Sequence, residues 1–367
     1  MKNNKFKSQI SKLIDAIYPS ILSIIFGLLL GGLILVVAKP SKACGVCINL
    51  ILGPIVPTPL RSIGNMLYYA TPIMLTGLSV AFAFKTGLFN IGASGQYFMG
   101  AFSALVFGVR ATFIPAQYRW IFAIIVAFLA GAIMAGITGV LKAYWNVNEV
   151  ISSIMFNYIS TYIVVYLIKN WELYNVLRNE SITIPTQIPK LGLDKIFPGS
   201  FVGGGALVAI LAAIVIYIII EKTTFGYELK AVGYNRDAAR YAGINEKRSI
   251  ILSMFIAGGL AGMAGAVNFL VGSSRHISLQ KVVPMEGFDG IPVALLANSH
   301  PIGVIFSSLF IGYLRINAQA MQTYGFVPEI IDIVIAIILY STALTVLFRN
   351  LSARFRRKKR AEKEEVV

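Results

Sequence analysis

The sequence predicts an all-α fold, a transmembrane helical bundle of about ten spans with both chain ends on the cytoplasmic side. Three observations carry the prediction. Apolar residues make up 57% of the 367 residues and charged ones only 13%, about half the charged share of a soluble domain. The apolar residues gather into runs near the roughly 20 residues that a helix needs to cross a bilayer. The basic residues, which give a net charge of +16, flank those runs and do not form the patch that a nucleic acid would need. An ordinary soluble enzyme is excluded, and 23 Phe with 17 Tyr exclude a disordered chain. Two cysteines cannot form a disulfide framework.

The elements follow in order. Residues 1–17 form a tail whose Lys2, Lys5, Lys7 and Lys12 hold it in the cytoplasm. The first span, 18–38, is longer than the apolar stretch of a secretory signal. Lys42 directly before Ala43-Cys44 argues against lipoprotein processing, so the span reads as a retained anchor. Cys44 and Cys47 have the C-x-x-C spacing of redox and metal sites. No His lies near them, and they read as small apolar residues of an outer loop. Spans two to five cover 66–86, 88–109, 120–141 and 148–168. The polar segment 169–200, with Pro185, Pro189 and Pro198, is then external. The sixth span, 201–220, leads into a cytoplasmic loop, 221–248, marked by Lys222, Lys230, Arg236, Arg240, Lys247 and Arg248. Spans seven to ten cover 250–271, 287–297, 302–316 and 327–348. The tail 349–367 is a basic run suited to anionic lipid.

Residues 18–348 thus read as one transmembrane domain between two cytoplasmic tails. Even numbers of crossings before and after the 221–248 loop keep the basic segments on one side. Eight spans would also close if the short eighth and ninth stayed together on one side. That pair flanks Asn298-Ser299-His300-Pro301 and reads as a hinged pair or a re-entrant segment. Spans 2–5 start from the outside and spans 7–10 from the inside, the orientation relation of an inverted repeat.

Polar groups inside spans are costly, and they are either paired or functional. Between spans two and three, Gly87, Gly92 and Gly95 permit tight turns and close helix approach, while Asn90 and Gln96 can each donate and accept hydrogen bonds. Two readings stand there: a hinge whose amides satisfy freed backbone groups, or the lining of a path. At the start of span five, Asn148 suits an N-cap and Glu149 a first helical turn. Ser153 and Asn157 share one helix face. Asn157 lies too deep to be a cap, so it lines a path or bonds a neighbouring helix. Asp289 stands in an apolar setting beside Gly287 and Gly290. Gly258, Gly262 and Gly265 in span seven read as helix-packing residues. In the cytoplasmic loop, Asn235 suits the N-cap of a short helix over 236–242 that ends at Gly243. Such a helix docks in a partner's groove or lies on lipid.

No G-x-x-x-x-G-K-[ST] phosphate loop and no H-E-x-x-H occurs. His276 and His300 support no Ser/His/Asp set, and no metal-ligand set is expected. The chain therefore reads as a non-enzyme without a cofactor of its own. Energy for any uphill movement of a solute has to come from another subunit.

Four runs then carry a resemblance. GLFNIGASGQ (87–96), NEVISSIMFNYI (148–159), FGYELKAVGYNRDAARYAGI (225–244) and GFDGIPVALLANSHPIGV (287–304) resemble, in this order, the permease subunits of bacterial ABC importers for nucleosides. These belong to the wider group of ribose and branched-chain amino acid permeases. The resemblance implies a multi-pass protein of the bacterial cytoplasmic membrane that moves nucleosides by alternating access. It implies a second homologous permease, a cytoplasmic double-cassette ATPase that binds ATP and Mg, and an external substrate-binding lipoprotein. The 225–244 segment would engage the ATPase through Gly226, Leu229, Ala231, Gly233, Asn235, Ala238, Ala239, Tyr241, Gly243 and Ile244. Phe89, Asn90, Gln96, Asn157, Tyr158, Asp289 and Asn298 are the candidates for the substrate path, and Phe89, Tyr97, Phe156 and Tyr158 are available to stack on a base. One departure stands out: Ser94 occupies a place where the family usually has an acidic residue. Any role of that carboxylate is lost or passes to the partner permease. A simple-sugar permease of the ribose type is the alternative, since a nucleoside contains a ribose. An ATP-independent channel has no reason to carry the 225–244 motif.

Overall fold

The structure, a computed structural model, describes residues 22, 25–40, 42, 45, 58–271 and 275–343. The basic tails 1–17 and 349–367, the Cys44–Cys47 pair, and the outermost parts of the first and last expected spans lie outside the described residues. The chain divides into two units, Pro54–Ile316 and Met1–Gly53 with Asn317–Val367.

In the smaller unit, helix α1 (Ile25–Ala38) packs through Gly27 and Gly31 on Ile338 and Val334. Lys39 donates to the carbonyl of Gly325 and lies 5.6 Å from the ring centre of Phe326.

The larger unit begins with α2 (Pro59–Lys85), α3 (Ala93–Arg110), α4 (Ala116–Trp145) and α5 (Glu149–Asn170). A two-residue hairpin of β1 (Tyr174–Asn175) and β2 (Glu180–Ser181) and a single turn, α6 (Leu193–Ile196), follow. Then come α7 (Gly205–Lys222), α8 (Thr224–Tyr234), α9 (Arg236–Tyr241) and α10 (Glu246–Phe269). After a 3₁₀ turn at Met285–Gly287 come α11 (Gly290–Leu296) and α12 (Pro301–Thr323), whose residues to Ile316 belong to this unit. The last helix, α13 (Pro328–Ala343), belongs to the smaller unit. Six of the described helices are long and apolar enough to cross a membrane: α2, α4, α5, α7, α10 and α12. The chain is a multi-pass membrane protein.

Two expected spans change. The third, expected from Leu88, becomes helical only at Ala93, because Gly87 takes a φ of 71° and the next residues run irregularly. The eighth, expected over 287–297, holds only the seven-residue α11. Seven residues rise about 10 Å, a third of the hydrocarbon thickness, so this helix does not cross. Asn298 and Ser299, at φ 49° and 55°, stop it and turn the chain into α12. Apolar composition reads the same in a broken helix and in a continuous one. The expected ninth span lies inside α12, which at 23 residues is longer than the sequence suggested.

The central helix is α10, packed against α4, α3 and α2. Lipid tails give apolar helices no hydrophobic reason to associate, so close backbone packing has to hold them. Gly262 abuts the backbones of Gly100 and Ala127, Gly258 that of Gly131, and Gly265 that of Tyr97. These are the glycines expected to pack, and any side chain there would push two helices apart.

The two ends of α2, about 40 Å apart for 27 residues, meet different segments. At the N-terminal end, Gly64 lies against Phe197 and Ser200. At the C-terminal end, Lys85 and Gly87 meet Gly233. The 171–204 segment is tied to the one after α10: Ser181 N–H donates to Ile277 O at 2.9 Å, and Ile188 N–H to Leu270 O at 2.9 Å.

Candidate functional site

The first polar cluster forms where α3 starts. Asn157 is eight residues beyond the first residue of α5, or about 12 Å along it. At that depth its Oδ1 accepts from Gly95 N–H at 2.8 Å and its Nδ2 donates to Ile91 O at 3.0 Å. A helix that begins inside a membrane has orphan backbone groups that water cannot reach. The Asn157 amide supplies partners for two of them. Asn90 and Gln96 pair amide to amide, both bonds at 2.8 Å, and Asn90 also donates to Ser79 of α2 at 3.0 Å. All three amides are buried. Gly95 allows the approach, since a Cβ there would come within 2.8 Å of the Cα of Asn157. Ser94 donates from its hydroxyl to the carbonyl of Pro284, which fastens the start of α3 to the segment leading into α11.

That segment walls a cavity of about 520 Å³, the size of a small-molecule site. Tyr69, Pro72 and Ile73 of α2, Tyr97 and Phe98 of α3, and Phe269 of α10 give it an aromatic and apolar side. Its polar groups include Asn268, Arg275, His276, Ser278, Gln280, Glu286, Asp289 and Arg315. Four of them fall into two bonded sets. Asn268 donates to the Tyr97 hydroxyl and accepts from Arg275 at 2.6 Å, and the Arg275 guanidinium lies 5.1 Å from the ring centre of Tyr68. Arg315 on α12 donates to both carboxylate oxygens of Asp289 at 3.0 Å. This ion pair spans the break between the 3₁₀ turn and α12. Ser307 Oγ, 3.0 Å from Val293 O, and the contact of Val293 on Gly77 hold α11 between α12 and α2.

A second feature lies beyond the other end of α2. Thr223 caps α8, accepting from Gly226 N–H at 3.1 Å, and Asn235 caps α9, accepting from Ala238 N–H at 3.0 Å. Gly243 follows α9 at φ 81°. Val232 and Ala239 are buried in one apolar cluster with Ala83, Leu88, Ala135, Ile250 and Met254. The short helices are therefore rooted in α2, α4 and α10. Their outer side forms a groove of about 500 Å³.

The predicted coupling residues sort onto two sides. Gly226 and Leu229 are buried, and Gly233 abuts Lys85. Ala231, Asn235, Ala238, Ala239 and Ile244 line the groove, while Tyr241 is 94% exposed. Of the predicted path residues, Asp289 lines the cavity. Asn90, Gln96 and Asn157 form the cluster at the start of α3. Phe89 stacks on Phe84 with ring centres 5.2 Å apart, Tyr158 is exposed on the outer face of α5, and Asn298 sits in the turn before α12. Sequence reasoning did not single out Asn268, Arg275, Glu286 or Arg315. For Asn268 and Arg315 the signal was available, as polar residues near the ends of apolar spans.

Residues 62–343 match the family described as branched-chain amino acid transport system / permease component. The guanosine ABC transporter permease protein NupP of Bacillus subtilis is 38% identical over 92% of this chain and 96% of its own. The nucleoside ABC transporter permease protein NupB of Lactococcus lactis is 36% identical over 88% of this chain and 90% of its own. The glucose ABC transporter permease protein TsgB13 of Haloferax volcanii is 30% identical, over 92% and 88%. NupQ and NupC, further permease proteins from the same Bacillus and Lactococcus strains, match at 28% and 29% identity. No solved structure matches the chain significantly. This protein belongs to the permease-component family of branched-chain amino acid transport systems.

Proposed function

We propose that the chain is the permease subunit of an ATP-driven importer that carries nucleosides across the bacterial cytoplasmic membrane. The observation that carries this is its likeness, over about nine-tenths of its length, to a guanosine and a nucleoside permease. The cavity suits such a cargo. Tyr69, Tyr97 and Phe98 offer aromatic faces for a base, and Asn268, Arg275 and Glu286 offer donors and acceptors for a ribose. The path runs through this cavity and past Asp289. Asn90, Gln96 and Asn157 serve it by holding the start of α3. Phe89 and Asn298 sit at bends of the same segments.

The α8–α9 face receives a double-cassette ATPase, which binds the ATP and Mg. A second homologous permease completes the membrane part, and a substrate-binding lipoprotein delivers the nucleoside outside. The chain crosses ten times, with the broken segment 284–300 serving as the eighth crossing, and both termini are cytoplasmic. ATP-driven closure of the cassettes moves α8 and α9, and the helices rooted with them open the cavity to alternate sides. The repeat relation between spans 2–5 and 7–10 suits such rocking.

Uptake into proteoliposomes holding the complete complex tests the reading. ATP-dependent entry of radiolabelled guanosine is expected. Entry of glucose or ribose without nucleoside would favour the sugar reading, to which TsgB13 lends weaker support at 30% identity. Equal entry without ATP would make the chain a facilitator.

A further inference from the structure

We propose that the outward face of α5 lies against the second permease subunit, with Tyr158 and Tyr162 at its centre, and that this face is closed to lipid. The inference rests on the pairing of permeases proposed above and not on the identity of the cargo.

Tyr158, Tyr162 and Tyr166 are spaced four apart, so they stand on one helix face. They are 51%, 51% and 67% exposed, and Ile151, Met155 and Ile159 are exposed beside and before them on the same helix. The three hydroxyls have no hydrogen-bond partner among the described residues. Depth decides what this face can meet. Helix α5 begins at Glu149, which puts Tyr158 about 14 Å and Tyr162 about 20 Å along it. Both therefore fall within a hydrocarbon layer about 30 Å thick. Tyrosine is favoured at the water interface, where its hydroxyl stays wet. Tyr166, nearer the helix end, fits that place, whereas Tyr158 and Tyr162 do not. A hydroxyl facing hydrocarbon forfeits its hydrogen bonds.

The other exposed faces of this unit are different. On α4 the open positions include Ile125, Leu129, Ile133 and Ile137, and on α7 Leu207, Leu211, Ile214 and Ile218. These are faces made for lipid. The tyrosine on α7, Tyr217, is only partly exposed and packs 5.7 Å from His300. On α5, by contrast, Lys281 reaches back so that its Nζ lies 5.6 Å from the ring centre of Tyr162, which brings a cation to the same face.

The occupant follows from the depth. Groups that satisfy hydroxyls in the middle of a membrane belong to another membrane-spanning chain or to water held between two such chains. An ATPase and an external binding protein both lie outside that layer. The relatives come as pairs of permease proteins within one organism, NupP with NupQ and NupB with NupC, so the available spanning partner is the second permease.

Photo-crosslinking in the intact complex, in its native membrane and without substrate, tests this. The photoreactive amino acid p-benzoylphenylalanine, close to tyrosine in shape, is placed singly at 158 and 162, and at 133 and 211 as controls on α4 and α7. Ultraviolet light is expected to join 158 and 162 to the second permease and to give no protein adduct at the controls. Adducts at 158 and 162 with lipid alone, or with the ATPase or binding protein alone, in a complex that still purifies whole would overturn the proposal. As a second measure, Tyr158→Leu with Tyr162→Leu is expected to reduce the co-purified second permease several-fold, and the corresponding Phe pair to reduce it less. Equal recovery from both pairs would count against a role for the hydroxyls. Because the readouts contain no cargo, failure of nucleoside uptake leaves them unchanged and sinks only the reading of the substrate.

Discussion

Two polar clusters lie within the larger unit, and only one of them borders open space. At the start of α3, Asn90, Gln96 and Asn157 point at one another and at backbone groups, and each amide is occupied. Around the cavity, Asn268 and Arg275 are bonded to each other, as are Asp289 and Arg315, and all four, with Glu286, also line open space. The lesson is that a polar side chain inside a membrane is not by itself a sign of a path. Where a helix is interrupted, the same residue types are needed to replace lost backbone partners. Only the geometry separates the two uses.

The comparison can be broken by showing that the clusters respond alike. The largest expected effect is on stability, at Asn157→Leu. It strands Gly95 N–H and Ile91 C=O, each at a cost of about 1–3 kcal/mol. The thermal midpoint of the purified complex should fall, while uptake per folded complex stays near that of the parent. Next comes Arg315→Leu, which removes the two hydrogen bonds that the guanidinium donates to the Asp289 carboxylate at the cavity wall. We expect a loss of uptake of roughly tenfold, in line with about 1–2 kcal/mol for a half-buried pair. The Asp289→Asn, Arg315→Leu double variant should recover part of it, as a double-mutant cycle would show. A smaller effect is expected at Tyr97→Phe, which keeps the ring and removes the hydroxyl that accepts from Asn268. Half-saturation for nucleoside should rise about fivefold, near 1 kcal/mol, and the thermal midpoint should fall less than at Asn157→Leu, since one buried donor loses its acceptor where Asn157→Leu strands two backbone groups. If Tyr97→Phe instead lowered the midpoint more than Asn157→Leu, the division into clasp and cavity would fail. The smallest is Asn235→Ala. Loss of the cap should destabilise α9 by about 1 kcal/mol and show as faster amide exchange over 236–241, with nucleoside half-saturation unchanged.

Much of this was legible in the residues. Asn148 accepts from Val150 N–H at 2.9 Å, the cap its place before Glu149 suggested, and Asn235 caps α9 as expected. The glycines of α10 pack as their spacing implied. The 87–96 stretch could not be resolved from sequence, because amides that line a path and amides that mend a helix are the same residues. Helix α8 was missed: its cap, Thr223, lies where the sixth span ends, and the apolar face it buries makes sense only once α2 and α10 are beside it. Arg275, Glu286 and Asp289 come together through a segment with almost no regular structure, which periodicity does not report.

The contact of Gly233 with Lys85 and Gly87 has one more consequence. From Gly87 the chain reaches the first turn of α3 in a few residues, and there Ser94 holds Pro284 at the rim of the cavity. In the proposed importer, a push on α8 meets the base of this strut directly. The stroke need not be relayed through the full length of any spanning helix. Such a linkage is short, so that the face offered to the nucleotide cycle and the rim that borders the cargo are separated by only a few residues of chain.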